Sequence, residues 1–265
     1  MFNVLFWNLH KNSIEDYLSD CIEEKQIDIA VLAEYGGVNF EKLEENLGGF
    51  YSVHQEVNAD EAKVVLIGRN NIKIDVLQEL PRYVIYKIET LLKTYIIVGL
   101  HLQDRRNYNS DDRIDTIKSI LCDLEQIEKD FKCKNTIVIG DFNANLFSKE
   151  IVSYYGFNAV LFKAVIEESE VRTWQSNVKQ RFYSPMIHYI SEDTQMYGSY
   201  YYTSEADTIY WHCLDQVLFR KPLINNINNI QYIKKIRDTD LIGRIQPKSC
   251  ISDHLPLFVS IMGVD

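Results

Sequence analysis

Ile137-Val138-Ile139 is an unbroken run of β-branched residues that leads directly into Gly140-Asp141-Phe142-Asn143. Such a run fits a strand buried on both faces, and Gly140 at its end lets the backbone turn without a Cβ clash. If the chain stays extended past Gly140, Asp141 and Asn143 point the same way, setting a carboxylate beside a carboxamide at the mouth of a sheet. That pair can hold a water against a phosphorus. The same four residues can also form an Asx turn leaving a core strand, so their meaning depends on the rest of the chain.

Other predicted strands end in polar side chains too. Phe2–Trp7 is apolar and aromatic and runs out into Asn8. Ser13 suits an N-cap, and Ile14, Tyr17, Leu18, Cys21 and Ile22 recur at helical spacing, predicting a helix over Ser13–Lys25. Asp28–Ala33 follows as a second buried strand that ends at Glu34. A strand, a crossover helix and a strand place Asn8 and Glu34 at the ends of parallel neighbours, where open α/β sheets bind ligands.

From Tyr51 to Gly99 short apolar runs, with a turn at Asn70-Asn71, predict antiparallel hairpins or a meander, and the last run discharges into His101. Gln103–Asp112 reads as a surface loop carrying Arg105 and Arg106, followed by a helix over Asp112–Phe131. Arg113 in its first turn is opposed by the helix dipole, which implies an anion or acidic neighbour unless the side chain is solvated. Trp174, in Arg172-Thr173-Trp174, is a residue costly to leave on a surface. Arg181–His212 is rich in tyrosine, including Tyr200-Tyr201-Tyr202. These rings can stack on bases and sugars, or can line the half-buried face of ordinary strands. Leu214–Phe219 is another strand, with Asp215 at its edge. Asn225–Asn229 reads as a polar turn, and Lys234, Lys235 and Arg237 as a small basic cluster. Ser252-Asp253-His254-Leu255-Pro256 leads into a last strand, Leu257–Met262.

Composition bounds the rest. With 265 residues, 46% of them hydrophobic, and no linker or repeat, one domain over residues 1–265 is expected. Five widely spaced cysteines without a CxxC pair suit a reducing compartment, and no stretch approaches the roughly 20 apolar residues of a membrane span, so a cytoplasmic location is expected. The net charge of −10 disfavours a protein that works by coating a polyanion, but an acidic centre that collects divalent cations is itself negative.

Asn8, Glu34, His101, Asp141, Asn143, Asp215, Asp253 and His254 all fall at or beside strand ends. If they converge, their oxygen donors suit Mg²⁺ or Mn²⁺ and phosphoryl chemistry. In this order the motifs Phe6-Trp7-Asn8, Leu32-Ala33-Glu34, Gly99-Leu100-His101-Leu102, Gly140-Asp141-Phe142-Asn143, Thr173-Trp174, Leu214-Asp215-Gln216-Val217 and Ser252-Asp253-His254-Leu255-Pro256 resemble the endonuclease/exonuclease/phosphatase superfamily. These are metal-dependent phosphohydrolases that include deoxyribonuclease I, exonuclease III, neutral sphingomyelinases and inositol polyphosphate 5-phosphatases.

The resemblance implies a four-layer α/β sandwich of two mixed β-sheets packed face to face and flanked by helices. It implies that Glu34, with Asn8 beside it and Asp253, binds the catalytic Mg²⁺ or Mn²⁺. Asp141 would activate the attacking water, Asn143 fix the scissile phosphate, His254 donate to the phosphoryl oxygens, Asp215 orient His254, and His101 bind phosphate or protonate the leaving oxygen. Arg105, Arg106, Arg113 and Trp174 are the expected substrate contacts. Ala33 departs from the Gln that many relatives carry before the metal-binding Glu. His101 sits closer to the deoxyribonuclease I, sphingomyelinase and phosphatase branches than to the abasic-site nucleases. The expected partner is a phosphate-containing substrate, nucleic acid first and a small molecule or lipid headgroup second; oligomeric state is left open.

Overall fold

A computed structural model of the chain describes residues 1–55, 62–193, 195–204 and 208–263. The chain first lays down β1 (Phe2–Asn8), β2 (Ile29–Ala33), β3 (Tyr51–His54) and β4 (Val64–Arg69), then β5 (Lys73–Leu80), β6 (Tyr83–Glu89), β7 (Thr94–His101) and β8 (Thr136–Asp141). Short pieces follow: β9 (Ala159–Val160), the hairpin β10 (Val171–Trp174) and β11 (Asn177–Gln180), β12 (Phe182–Tyr183), and the ladder β13 (Tyr200–Tyr201) and β14 (Trp211–His212). β15 (Asp215–Phe219), β16 (Ile227–Tyr232), the small pair β17 (Lys235–Ile236) and β18 (Thr239–Asp240), and β19 (Leu257–Ile261) complete it. One sheet has the order β16-β19-β1-β2-β4-β3, the other β5-β6-β7-β8-β15-β12-β9. Both are mixed, with β1 parallel to β2 and β7 parallel to β8 among antiparallel neighbours.

The period-two alternation of the second sheet shows how the layers stack. Tyr95 and Ile97 of β7, Ile137 and Ile139 of β8, and Val217 and Phe219 of β15 join one core with the first sheet. The intervening Ile96, Val98, Val138 and Leu218 pack instead against Ile117, Ile120 and Leu124 of a long helix, α3 (below). A Cβ on Gly99 would lie 2.7 Å from Val31 and 2.9 Å from Val64, so the sheets touch directly there. α1 (Glu15–Glu24), whose Leu18, Cys21 and Ile22 are fully buried, therefore covers the outer face of the first sheet. α2 (Phe40–Asn46) ends at Gly48 and Gly49, both at positive φ, as a helix stop requires. α3 (Ser110–Asp130) is opened by a capping box on Asn109, while α4 (Lys149–Val152) and α5 (Lys163–Glu168) are short. The four-layer arrangement is the expected one. Among the described residues no helix is long and apolar enough to cross a membrane. All five cysteines are free thiols.

Several local expectations change. Ser13 does not cap α1; its hydroxyl donates to the Glu15 carboxylate, and the helix starts two residues later. The run from Tyr51 is not one meander: β3 and β4 join the first sheet, and the turn at Asn70-Asn71 hands the chain to the second. The polar stretch Asn225–Asn229 is half strand, because β16 begins at Ile227 and absorbs Asn228 as a bulge against β19.

One buried ion pair ties α3 to the second sheet. Arg220, 2% exposed, donates from Nε to Glu128 Oε1 at 3.0 Å, Thr136 donates to the same oxygen at 2.6 Å, and the guanidinium lies 3.9 Å from the Phe182 ring centroid. Glu128→Ala leaves that guanidinium buried and unpaired, so it should cost about 3–5 kcal/mol in calorimetric unfolding, and Glu128→Ala with Arg220→Met appreciably less.

Candidate active site

The ends of both sheets meet at one place. Asn8 closes β1 opposite Ala33 of β2, and Glu34 follows immediately. In the second sheet His101 pairs with Asp141 across β7 and β8, and Asp141 pairs with Asp215 across β8 and β15. The loop before β19 then brings Asp253 and His254 over these ends. Its position is fixed by the first strand: Trp7 Nε1 donates to the His254 carbonyl at 3.0 Å, and the Ser252 hydroxyl donates to the Asn8 carbonyl at 2.7 Å while accepting from the His254 amide at 3.0 Å. The Trp-Asn and Ser-Asp-His motifs are thus two halves of one clasp.

Glu34 is held in the left-handed region at φ 48°, with its carbonyl accepting from the Lys11 amide at 2.7 Å. A non-glycine residue there is strained by roughly 1 kcal/mol or more, and such strain concentrates at functional positions. Its carboxylate stands 3.5 Å from His101 Nε2, which is also 3.7 Å from Asp141 Oδ2. Asn8 Nδ2 donates to that same Asp141 oxygen at 3.1 Å. Asn143 does not continue the strand beside Asp141 but takes the Asx-turn alternative. It turns at φ 47°, its amide donating to Asp141 Oδ1 at 2.8 Å and its side chain to the Leu102 carbonyl at 2.9 Å. The Asx turn and the site are the same object: the turn keeps the Asp141 carboxylate in one orientation.

His254 Nδ1 meets Asp215 Oδ2 at 2.7 Å, and Asp215 is wholly buried, its amide donating to Ser199 Oγ and its carbonyl accepting from the Tyr232 hydroxyl. Burial alone would lower the His254 pKa, but Asp215, with Asp141 and Asp253 behind it, outweighs burial and lifts it to about 10. Burial pushes the Asp215 carboxyl up to about 6 against the pull of His254. At neutral pH the pair is an imidazolium against a carboxylate. His101 goes the other way: burial lowers it, against the attraction of Asp141 and Glu34, so its ring is neutral.

A cleft of about 420 Å³ opens over this cluster, lined by Asn8, Glu34, His101, Asp141, Asn143, Asp253 and His254, with Asp215 directly behind His254. Arg105 and Arg106 also line it. Arg113 and Trp174 do not. Arg113 is buried in an ion pair with Glu150 at 2.9 Å, the acidic neighbour its place in the helix dipole called for, and Trp174 is 47% exposed on the β10–β11 hairpin. Of the basic cluster, Arg237 pairs with Asp20 and Glu23 of α1, and Lys234 reaches the Gln195 carbonyl. Sequence reasoning missed Arg82, His10 and His212, and it left Tyr200 and Tyr202 undecided; all five line the cleft. A signal for the tyrosines existed, since residues 200 and 202 share one face of any extended strand.

The donor set fits a hard divalent cation. Asn8, Glu34, Asp141 and Asp253 bring oxygen atoms to one cleft, and Asp253 Oδ1 is buried without a hydrogen bond among the described residues, 3.3 Å from His10 Nδ1. Asp141, Asp215 and His254 also present ligand atoms within 4.8 Å of one another. Because His254 and Asp215 spend Nδ1 and Oδ2 on each other and the imidazole holds its proton, the oxygens facing the cleft are the better candidates.

No protein-family model matches the sequence, and no curated protein matches it. Solved structures do match in shape. The endonuclease domain of TRAS1, a telomere-specific non-LTR retrotransposon, superposes with a TM-score of 0.58 at 13% identity, covering 98% of both chains. D. rerio TDP2 complexed with single-strand DNA product gives 0.60 at 12% identity over 97% of each chain. An endonuclease/exonuclease/phosphatase family protein from Bacteroides thetaiotaomicron gives 0.57 at 12% identity, covering 97% of this chain and 96% of that one. The chain has the endonuclease/exonuclease/phosphatase fold. Here the ends of both sheets and the loop before β19 bring together the eight residues read at predicted strand ends, seven of them on the cleft wall, while Trp174 of the Thr173-Trp174 motif stays outside it.

Proposed function

We propose that the protein is a divalent-metal-dependent phosphoesterase, with nucleic acid as its substrate class, that hydrolyses phosphoester bonds by in-line attack of water. The observation that carries this reading is the convergence of Glu34, Asp253, Asn8 and Asp141 on the imidazolium of His254 in one cleft. Such a site offers oxygen ligands and a proton donor, and none of the described residues lining the cleft is a Ser or Cys.

Glu34 and Asp253, with the Asn8 side-chain oxygen beside them, would hold Mg²⁺ or Mn²⁺, which when bound neutralises charge developing on the phosphoryl oxygens. Asp141, held by Asn8 and by the Asn143 turn, accepts the proton of the attacking water. Asn143 has a second amide hydrogen to offer the phosphate. His254 donates from Nε2 to a phosphoryl oxygen, and Asp215 keeps the ring oriented and charged, as a carboxylate does for imidazole in hydrolase triads. Neutral His101, 3.5 Å from Glu34 and 3.7 Å from Asp141, would contact the phosphate or the leaving oxygen.

Nucleic acid is favoured over a small phosphorylated molecule by Arg82, Arg105 and Arg106 in the cleft lining and by the names of two proteins sharing the fold, an endonuclease and a TDP2 bound to single-strand DNA product. The two substrate classes separate by salt. Turnover of a polynucleotide should show kcat/KM falling steeply between 50 and 200 mM salt, by roughly tenfold or more if two or three phosphates are contacted, whereas a small phosphomonoester should lose far less. A flat salt response with efficient release from phosphorylated small molecules would shift the assignment to a phosphatase.

A further inference from the structure

The half of the cleft next to His254 is aromatic, and its rings are mounted on the catalytic framework itself. Tyr200 and Tyr202 line the cleft with their rings near parallel, 21° apart at 6.3 Å, while Tyr201 between them turns away and packs edge-on against Trp211 at 5.4 Å. The Tyr200 ring lies 4.8 Å from the His254 ring, and the Arg106 guanidinium sits 5.7 Å from the Tyr202 ring centroid. The backbone carrying these rings is pinned on both sides. Tyr200 bridges His254, the Leu255 amide donates to the Ser199 carbonyl at 2.9 Å, and buried Ser199 Oγ accepts from the Asp215 amide at 3.1 Å. A Cβ on Gly198 would come within 2.7 Å of the His212 carbonyl, so the ladder with β14 is closed tightly behind them.

A rigid pair of half-buried phenol rings, one step from the phosphate-facing imidazole and flanked by an arginine, is a platform for a planar group carried next to the scissile phosphate. Resting on the phosphoesterase reading above, we infer that Tyr200 and Tyr202 stack the base adjacent to the scissile phosphate while Arg106 meets the next phosphate, and that the base must be unpaired and unstacked, as in single-stranded nucleic acid. A base within a duplex has both faces already covered and cannot lie on the platform. Base–aromatic stacking tolerates any base, so the platform selects strandedness rather than sequence.

The test separates this inference from the activity it rests on. A single-stranded octanucleotide carrying 2-aminopurine at successive positions is titrated with full-length protein in EDTA, where no hydrolysis is expected, and its fluorescence is followed. Wild type and Tyr202→Phe should quench the probe at one position, and Tyr202→Leu should lose most of that quench. In Mn²⁺, replacing the same base by an abasic spacer should lower wild-type kcat/KM about tenfold or more, chiefly through KM, and Tyr202→Leu should no longer distinguish the two substrates. Hydrolysis by wild type that ignores both the missing base and duplex formation, with no position quenched, would overturn the platform and leave the phosphoesterase standing. Quenching without hydrolysis of any phosphoester would do the reverse.

Discussion

Asp141→Asn should abolish turnover by about 10²–10⁴-fold while leaving the melting temperature nearly unchanged. The carboxylate is 1% exposed, accepts from Asn8 Nδ2 and the Asn143 amide, and faces His101 and Glu34 across the cleft. An amide of the same shape keeps one acceptor oxygen for this network, so folding loses little. It cannot accept the proton of a water, so chemistry loses nearly everything. Steady-state kinetics beside differential scanning calorimetry checks both halves. Full activity in the variant would remove Asp141 from the chemistry, and an unfolded variant would make it a structural residue.

His254→Ala should fail differently. On the proposed mechanism it removes a charged donor to the phosphoryl oxygens, worth about 10²–10³-fold in kcat. It also strips the fully buried Asp215 of its partner, so unlike Asp141→Asn it should cost stability measurably. The pH dependence of that cost has a definite sign. The pKa of His254 is raised by folding, to about 10, so the stability its charge supplies is fully present below about pH 6.5, the unfolded value, and is lost as pH rises through about 10. Denaturant unfolding at pH 7 and pH 10 should therefore show the stability gap between wild type and His254→Gln narrowing at the higher pH. A gap that stays the same at both pH values would mean the ring is neutral in the fold.

The strand-end residues were legible because each sits where an apolar run stops, and a run's end is a local property. Asn8, Glu34, His101 and Asp141 needed only that. Sheet membership was not legible: nothing between Tyr51 and Gly99 marks the handover between sheets at Asn70-Asn71, since either side of the turn reads as half-buried strand. Arg113 shows the limit of helix-dipole reasoning. The need for an acidic neighbour was visible in its position, but Glu150 lies 37 residues on and no periodicity points to it. Trp174 was misleading for a related reason: hydrophobicity argues for burial or a ligand, and the β10–β11 hairpin leaves it half exposed with neither shown. Tyr200 lies in a two-residue strand and Tyr202 just beyond it; that the two share a face was legible, but so short an element carries no apolar alternation to show that this face meets the cleft.

The central claim is that the strand-end cluster forms a metal-dependent hydrolytic site. Its most direct test is hydrolysis of single- and double-stranded DNA, RNA and phosphorylated small molecules by EDTA-treated wild type, before and after adding back Mg²⁺ or Mn²⁺, with Glu34→Gln run in parallel. Activity that is absent in EDTA, restored by the ion in wild type and restored only at much higher ion concentration, if at all, in Glu34→Gln is the predicted result. Hydrolysis that persists in EDTA, or is restored equally in both proteins, would contradict it.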